Sequence, residues 1–234
     1  MERAERLASS GLRFGPVIDD YLLTRAPLSA LGEAGRSGIE LLVGSNSREG
    51  LAVIAPDQLP QQIRTTFGPN ADRALAIYGL ANGATGSVDP LLGSAGQQFA
   101  TDSTFRCGSV EFAQLAAAAA VPTWQYQFEQ FVPGKEAQGA AHSFEVPYVF
   151  GNLLRTGFSA ANYGSADRRL SDVMVRYWTN FAKRGDPNGP GLQMWPRYKT
   201  PDRSYLRFSS ALPRNAQVAR DLRGAACRLF PPAN

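Results

Sequence analysis

Ile39-Glu40-Leu41-Leu42-Val43-Gly44 runs without a break into Ser45-Asn46-Ser47-Arg48-Glu49-Gly50. A brief apolar run halted by Gly and Asn reads as a buried strand. The polar segment from Ser45 to Gly50 then sits at its C-terminal end, where ligands and catalytic groups collect in open α/β sheets. Outward from there, Thr123-Trp124-Gln125-Tyr126-Gln127-Phe128 alternates with period two, as a strand does. Between these strands the pattern is helical. Asp57 is placed to cap a helix reaching about Phe67, and Asn70 to cap another through Tyr78. A loop rich in Gly, Ala and Ser covers Gly79 to Asp89. Helical patterning resumes around Leu91 and, with a break near Asp102, continues to Ala120 before Pro122. Downstream, Val173, Met174, Tyr177, Trp178 and Phe181 have helical spacing inside a predicted helix from Leu170 to Lys183, closed by Gly185. That stripe reads as core. Tyr205 to Phe208 is a last short strand and Gln217 to Leu229 a terminal helix, while Met1 to Phe14 and Leu28 to Gly35 are helix-compatible. Strands alternating with helical segments give an α/β class with a parallel sheet.

Composition narrows the function. The 234 residues are 44% hydrophobic and 19% charged, ordinary globular usage that can bury a sizeable core. A formal net charge of +4, evenly scattered, is too mild for a nucleic-acid partner. The longest near-apolar run, Leu115 to Val121, is mostly Ala and too short to span a bilayer. No basic segment followed by an apolar one opens the chain, so no export signal is visible. There is one His, His142, and two Cys, Cys107 and Cys227. One imidazole and two distant thiols do not make a tetrahedral zinc site without several carboxylates, so neither metal nor cofactor is expected. Any general-base chemistry through imidazole falls to His142.

Glu49 follows one strand, and His142 ends the loop that follows the next. A carboxylate orienting an imidazole that deprotonates a hydroxyl is the logic of nucleophilic hydrolases. In α/β-hydrolases the chain order is Ser, acid, His, and Glu49 and His142 fit the second and third places. The first is empty. No G-x-S-x-G occurs, and Gly44-Ser45-Asn46-Ser47-Arg48 fails at its last position. On spacing alone the bland roles are the commoner ones: a lone loop His is more often a surface or capping residue, and a Glu after a strand is usually solvated.

Longer motifs add to this. Leu42-Val43-Gly44-Ser45-Asn46-Ser47-Arg48-Glu49-Gly50 resembles the acid motif of the type B carboxylesterases, the cholinesterase-like and para-nitrobenzyl esterase-like family. His142-Ser143-Phe144-Glu145-Val146-Pro147-Tyr148-Val149-Phe150-Gly151 resembles its histidine motif. Tyr177-Trp178-Thr179-Asn180-Phe181-Ala182-Lys183-Arg184-Gly185-Asp186-Pro187-Asn188, with Trp195-Pro196-Arg197-Tyr198, is similar to its near-C-terminal signature. The resemblance runs from about Gly15 to Phe230 and implies that residues 1–234 form the C-terminal portion of an α/β-hydrolase fold. The nucleophile elbow and the oxyanion loop belong to the family's N-terminal half. It implies that Glu49 is the triad acid and His142 the base. Glu145 corresponds to a carboxylate beside the active site; a packing or capping role for the following turn is the alternative. Cys107 and Cys227 stand where the family has a disulfide, two buried free thiols being the alternative. Such a bridge implies an oxidising, secreted or periplasmic compartment.

The sequence also departs from the family. Arg48 replaces an acidic residue before the Glu, which makes it a competing partner for that carboxylate, and Asp20 stands where Gly is usual. Leu51, Ala52, Val53 and Ile54 replace the aromatics that face a quaternary ammonium in cholinesterases, so a neutral aliphatic or aryl ester is the expected small-molecule substrate. Three readings remain open: an ester hydrolase half that needs the N-terminal half of the same fold as partner, a non-catalytic binding module, and a truncated gene product.

Overall fold

Strand β1, Leu41–Asn46, lies at one end of a four-stranded sheet and carries the candidate acid on the turn beyond it. It belongs to a computed structural model that describes residues 17–25, 30–31, 38–50, 54–153 and 162–231. The predicted helix over Met1 to Phe14, most of Leu28 to Gly35, and Leu51 to Val53 lie outside the described residues. In chain order follow α1 (Leu59–Phe67), α2 (Ala71–Ile77), the two-residue strands β2 (Val88–Asp89) and β3 (Gly93–Ser94), and α3 (Ala95–Thr101). A π-helical turn, Asp102–Arg106, joins α3 to α4 (Cys107–Ala118). Then come β4 (Thr123–Phe128), α5 (Val146–Val149), α6 (Ser165–Arg184), β5 (Ser204–Phe208), β6 (Ala216–Arg220) and α7 (Gly224–Cys227).

The main sheet has the order β1-β4-β5-β6. β1 pairs with β4 in parallel, with Leu41 opposite Thr123 and Asn46 opposite Phe128, and β4 pairs with β5 in parallel. β6 returns antiparallel to β5, Leu206 opposite Val218, so the sheet is mixed rather than wholly parallel. That hairpin corrects the terminal helix expected over Gln217 to Leu229, of which only Gly224–Cys227 is helical. Ala, Gln and Arg favour a helix locally, but the ladder to β5 overrides that preference. In β1, Gly44 lies opposite Tyr126, and a Cβ there would overlap the Tyr126 ring.

Two capping expectations also fail. Gln58, not Asp57, precedes α1, and the Pro in its first turn marks the start without a side-chain cap. Asn70 precedes α2, but its side chain makes no capping bond because a 3₁₀ turn, Gly68–Asn70, already leads the backbone in. The cap that does form is Ser94, which accepts from Gln97 N–H while the Gln97 side chain accepts from Ser94 N–H, so α3 begins there rather than at Leu91. The break near Asp102 is the π turn.

The larger core sits between the sheet and α6. Trp124, Phe128, Leu170, Met174, Tyr177, Trp195, Leu206 and Phe208 are fully buried there, with Val173, Trp178 and Phe181 packed at its margin. Gly185, at φ 69°, closes α6 in the left-handed region that favours glycine. A second core joins α1, α2 and α3 through Ile63, Phe67, Tyr78 and Phe99. Cys107 at the head of α4 is disulfide-bonded to Cys227 at the end of α7. Asp20, where the resemblance expects Gly, has φ 59°, a conformation that Asp tolerates better than most residues.

Candidate active site

The turn after β1 and the loop after β4 meet at the C-terminal ends of the parallel strands. Backbone bonds fix their approach: Ser47 N–H donates to Phe128 O at 2.8 Å and Arg48 N–H to Ala140 O at 3.1 Å. His142 Nδ1 then lies 2.8 Å from Glu49 Oε2. The other carboxylate oxygen, Glu49 Oε1, accepts from Asn46 N–H at 2.7 Å. Glu49 is thus held on one side and faces imidazole on the other, with its side chain 8% exposed against 42% for His142. A buried carboxylate bonded to Nδ1 leaves Nε2 as the nitrogen free to exchange protons. The Phe105 ring lies against the imidazole with centroids 4.8 Å apart. Ser143, next to the base, adopts φ 67°, a left-handed backbone that turns the chain sharply there.

Glu145 is brought to the same place. Its Oε2 accepts from the Asn46 side-chain amide at 2.5 Å, and that amide also donates to Ala141 O at 2.7 Å. Burial raises the Glu145 carboxyl above the usual carboxylate range, partly offset by the Asn46 hydrogen bond. Glu145 occupies the position before α5 but makes no side-chain capping bond there, so its partner is Asn46 rather than the helix. Arg48 is not the competitor for Glu49 that its position suggests. Its guanidinium donates to Ala137 O and Pro90 O and lies over the Phe131 ring at 5.4 Å. Among the described residues no group of three His, Cys, Asp or Glu side chains is placed to hold a metal ion, and no helix is long and apolar enough to cross a membrane.

Sequence reading names Glu49, His142, Glu145 and the cysteine pair but misses Asn46, Thr101, Asp102, Phe105 and Arg106. Thr101 Oγ1 accepts from Gly50 N–H at 3.1 Å. Arg106, fully buried, donates to Ser47 O at 2.6 Å and Asn46 O at 3.3 Å. An Asp-x-x-x-Arg spacing between two helical stretches was the one available signal.

The sequence matches the carboxylesterase family over residues 3–230. It is 30% identical over 210 residues to the para-nitrobenzyl esterase of Bacillus subtilis, covering 86% of this chain and 40% of that protein. It is 29% identical over 198 residues to the fumonisin B1 esterase of Sphingopyxis macrogoltabida, covering 79% of this chain and 35% of that one. The fold superimposes on the Geobacillus stearothermophilus carboxylesterase EST55 with a TM-score of 0.77 at 25% identity, over 98% of this chain and 48% of that structure. The chain therefore spans about two fifths of the length of these curated relatives and about half of the solved structure. With the family matched across nearly all of its length and half an α/β-hydrolase fold in place, the chain belongs to the carboxylesterase family.

Proposed function

We propose that this chain supplies the acid and the base of a Ser-Glu-His triad for hydrolysis of a neutral carboxylic ester, the nucleophilic serine and the oxyanion donors coming from the N-terminal half of the same fold. The observation that carries this reading is the 2.8 Å bond from His142 Nδ1 to Glu49 Oε2, with the carboxylate's other oxygen anchored by Asn46 N–H. In the proposed cycle His142 Nε2 takes the proton of the serine hydroxyl as its oxygen attacks the ester carbonyl. Glu49 keeps Nδ1 protonated and stabilises the imidazolium without itself taking the proton. His142 then returns the proton to the departing alkoxide. In the second half it activates water to release the carboxylic acid from the acyl-serine. The aliphatic stretch Leu51 to Ile54 after the acid supports an uncharged substrate. The Cys107–Cys227 bridge supports an oxidising, secreted or periplasmic setting.

Co-expression with an N-terminal half carrying a serine elbow tests the proposal. Esterase activity should appear, and His142→Ala should remove it by several orders of magnitude. Glu49→Gln should lose less, since it orients and stabilises rather than carries the proton. Full activity in the His142→Ala complex would sink the assignment, because the chain has no other histidine.

A further inference from the structure

Asp102 and Arg106 are both fully buried, a costly arrangement for two ionised groups. Asp102 Oδ1 accepts from Arg106 Nη1. Its Oδ2 accepts from Arg223 Nη2 at 2.8 Å, Arg223 Nε at 3.1 Å and the Tyr78 hydroxyl at 3.1 Å. Arg223 alone would balance the Asp102 charge. The second guanidinium is therefore in excess, and its other terminal nitrogen, Nη2, is turned on the carbonyl oxygens of Ser47 and Asn46. An apolar side chain in that place would avoid the burial penalty but would offer those carbonyls nothing.

We propose that Arg106 is a positioning residue for Glu49, the π-helical turn serving as the device that aims it. This rests on the reading of Glu49 as the triad acid. The turn between β1 and Glu49 has its peptide groups held from the π turn at both ends. Thr101 Oγ1, just before the π turn, accepts from Gly50 N–H, and Arg106, its last residue, donates to Asn46 O and Ser47 O. Asn46 N–H, in the peptide just before the one whose carbonyl Arg106 holds, donates to Glu49 Oε1, so a shift of Asn46 moves the carboxylate that meets the imidazole. Asp102 and Arg106, four residues apart, share one face of the π turn, where the carboxylate fixes one terminal nitrogen of the fork while the other reaches the turn after β1. The π turn also lays Phe105 on the His142 ring. Lysine cannot do this, since one ammonium on a flexible stem does not bridge a carboxylate and two carbonyls in a fixed fork.

The chain's single histidine makes the test direct. In the full 234-residue chain labelled with ¹⁵N-histidine, the Nδ1–H bonded to Glu49 should give one downfield proton resonance. Arg106→Lys keeps a positive charge beside Asp102 and should leave the chain folded, yet it should broaden or displace that resonance. In the complemented enzyme the same variant should lower kcat by up to about 100-fold with KM little changed. A folded Arg106→Lys chain with the wild-type resonance overturns the proposal, as does a fall in melting temperature unaccompanied by a spectral change. Should the variant not fold, the wild-type chain decides instead. Arg106 Nη protons protected from exchange support the clamp, and free exchange on the seconds scale overturns it. The resonance needs no esterase activity, so its outcome separates failure of this inference from failure of the triad reading.

Discussion

The Asn46 side-chain amide donates to Glu145 Oε2 at 2.5 Å, tying the end of β1 to the turn beyond His142. The same residue holds Glu49 through its backbone and Ala141 O through its amide. Asn46→Ala leaves Glu145 Oε2 without this donor, while Ala141 O keeps the Phe144 N–H, and a largely buried group so stranded costs about 1–3 kcal/mol. Urea unfolding of the variant should show that loss. An unchanged midpoint would mean the amide is dispensable.

Glu145 gives a pH signature. Burial raises its carboxyl, with the Asn46 bond pulling the other way. The folded chain therefore keeps this proton where the unfolded chain has released it, and stability falls as pH rises through that window. Glu145→Gln cannot ionise and retains an oxygen for Asn46. Melting curves of both proteins between about pH 4.5 and 7 should diverge, the variant gaining as pH rises. Parallel curves would show that burial does not dominate at this carboxyl.

The disulfide closes a separation of 120 residues. In the chain-entropy estimate a loop of that size stabilises by roughly 5 kcal/mol. Replacing both Cys107 and Cys227 by Ser should cost about 2–5 kcal/mol in denaturant unfolding. Thiol titration of the unfolded, unreduced protein should find almost no free SH. Two titratable thiols would refute the bridge.

Expressed by itself, the 234-residue chain should hydrolyse a p-nitrophenyl ester no faster than free imidazole, since it contains no serine elbow. Stoichiometric organophosphate labelling of one of its serines would reveal a nucleophile and overturn this.

What the sequence reveals here follows how local each signal is. The alternation of Thr123–Phe128 delimits β4 to the residue, because its aromatic and polar side chains take opposite faces of the sheet, although both faces are buried in the fold. The stripe through Met174 and Tyr177, ended by Gly185, identifies α6, although its first turn from Ser165 is too polar to show. β6 stays hidden because Ala-Gln-Val-Ala-Arg is helix-favouring by propensity and becomes a strand only through β5. Glu49 and His142 are legible as a couple because they lie in long motifs. Arg106 is not, because its partners Asn46 and Ser47 are 60 and 59 residues away and nothing beside it points to them. Arg48 shows the opposite error: adjacency to Glu49 suggests a pair, while the fold sends its guanidinium to Pro90 and Ala137.

The parallel pairing of β1 with β4 has a kinetic side. Leu41 must find Thr123, and Glu49 must find His142 across 93 residues, before either contact returns anything for the loop that has been closed. The β5–β6 hairpin joins neighbours in sequence and faces no such delay. We expect pulse-labelled hydrogen exchange during refolding to protect β5 and β6 before β1, and simultaneous protection would count against this order. On that route, a chain caught midway through folding already holds its imidazole on the loop after β4 while the carboxylate meant for it is still unattached.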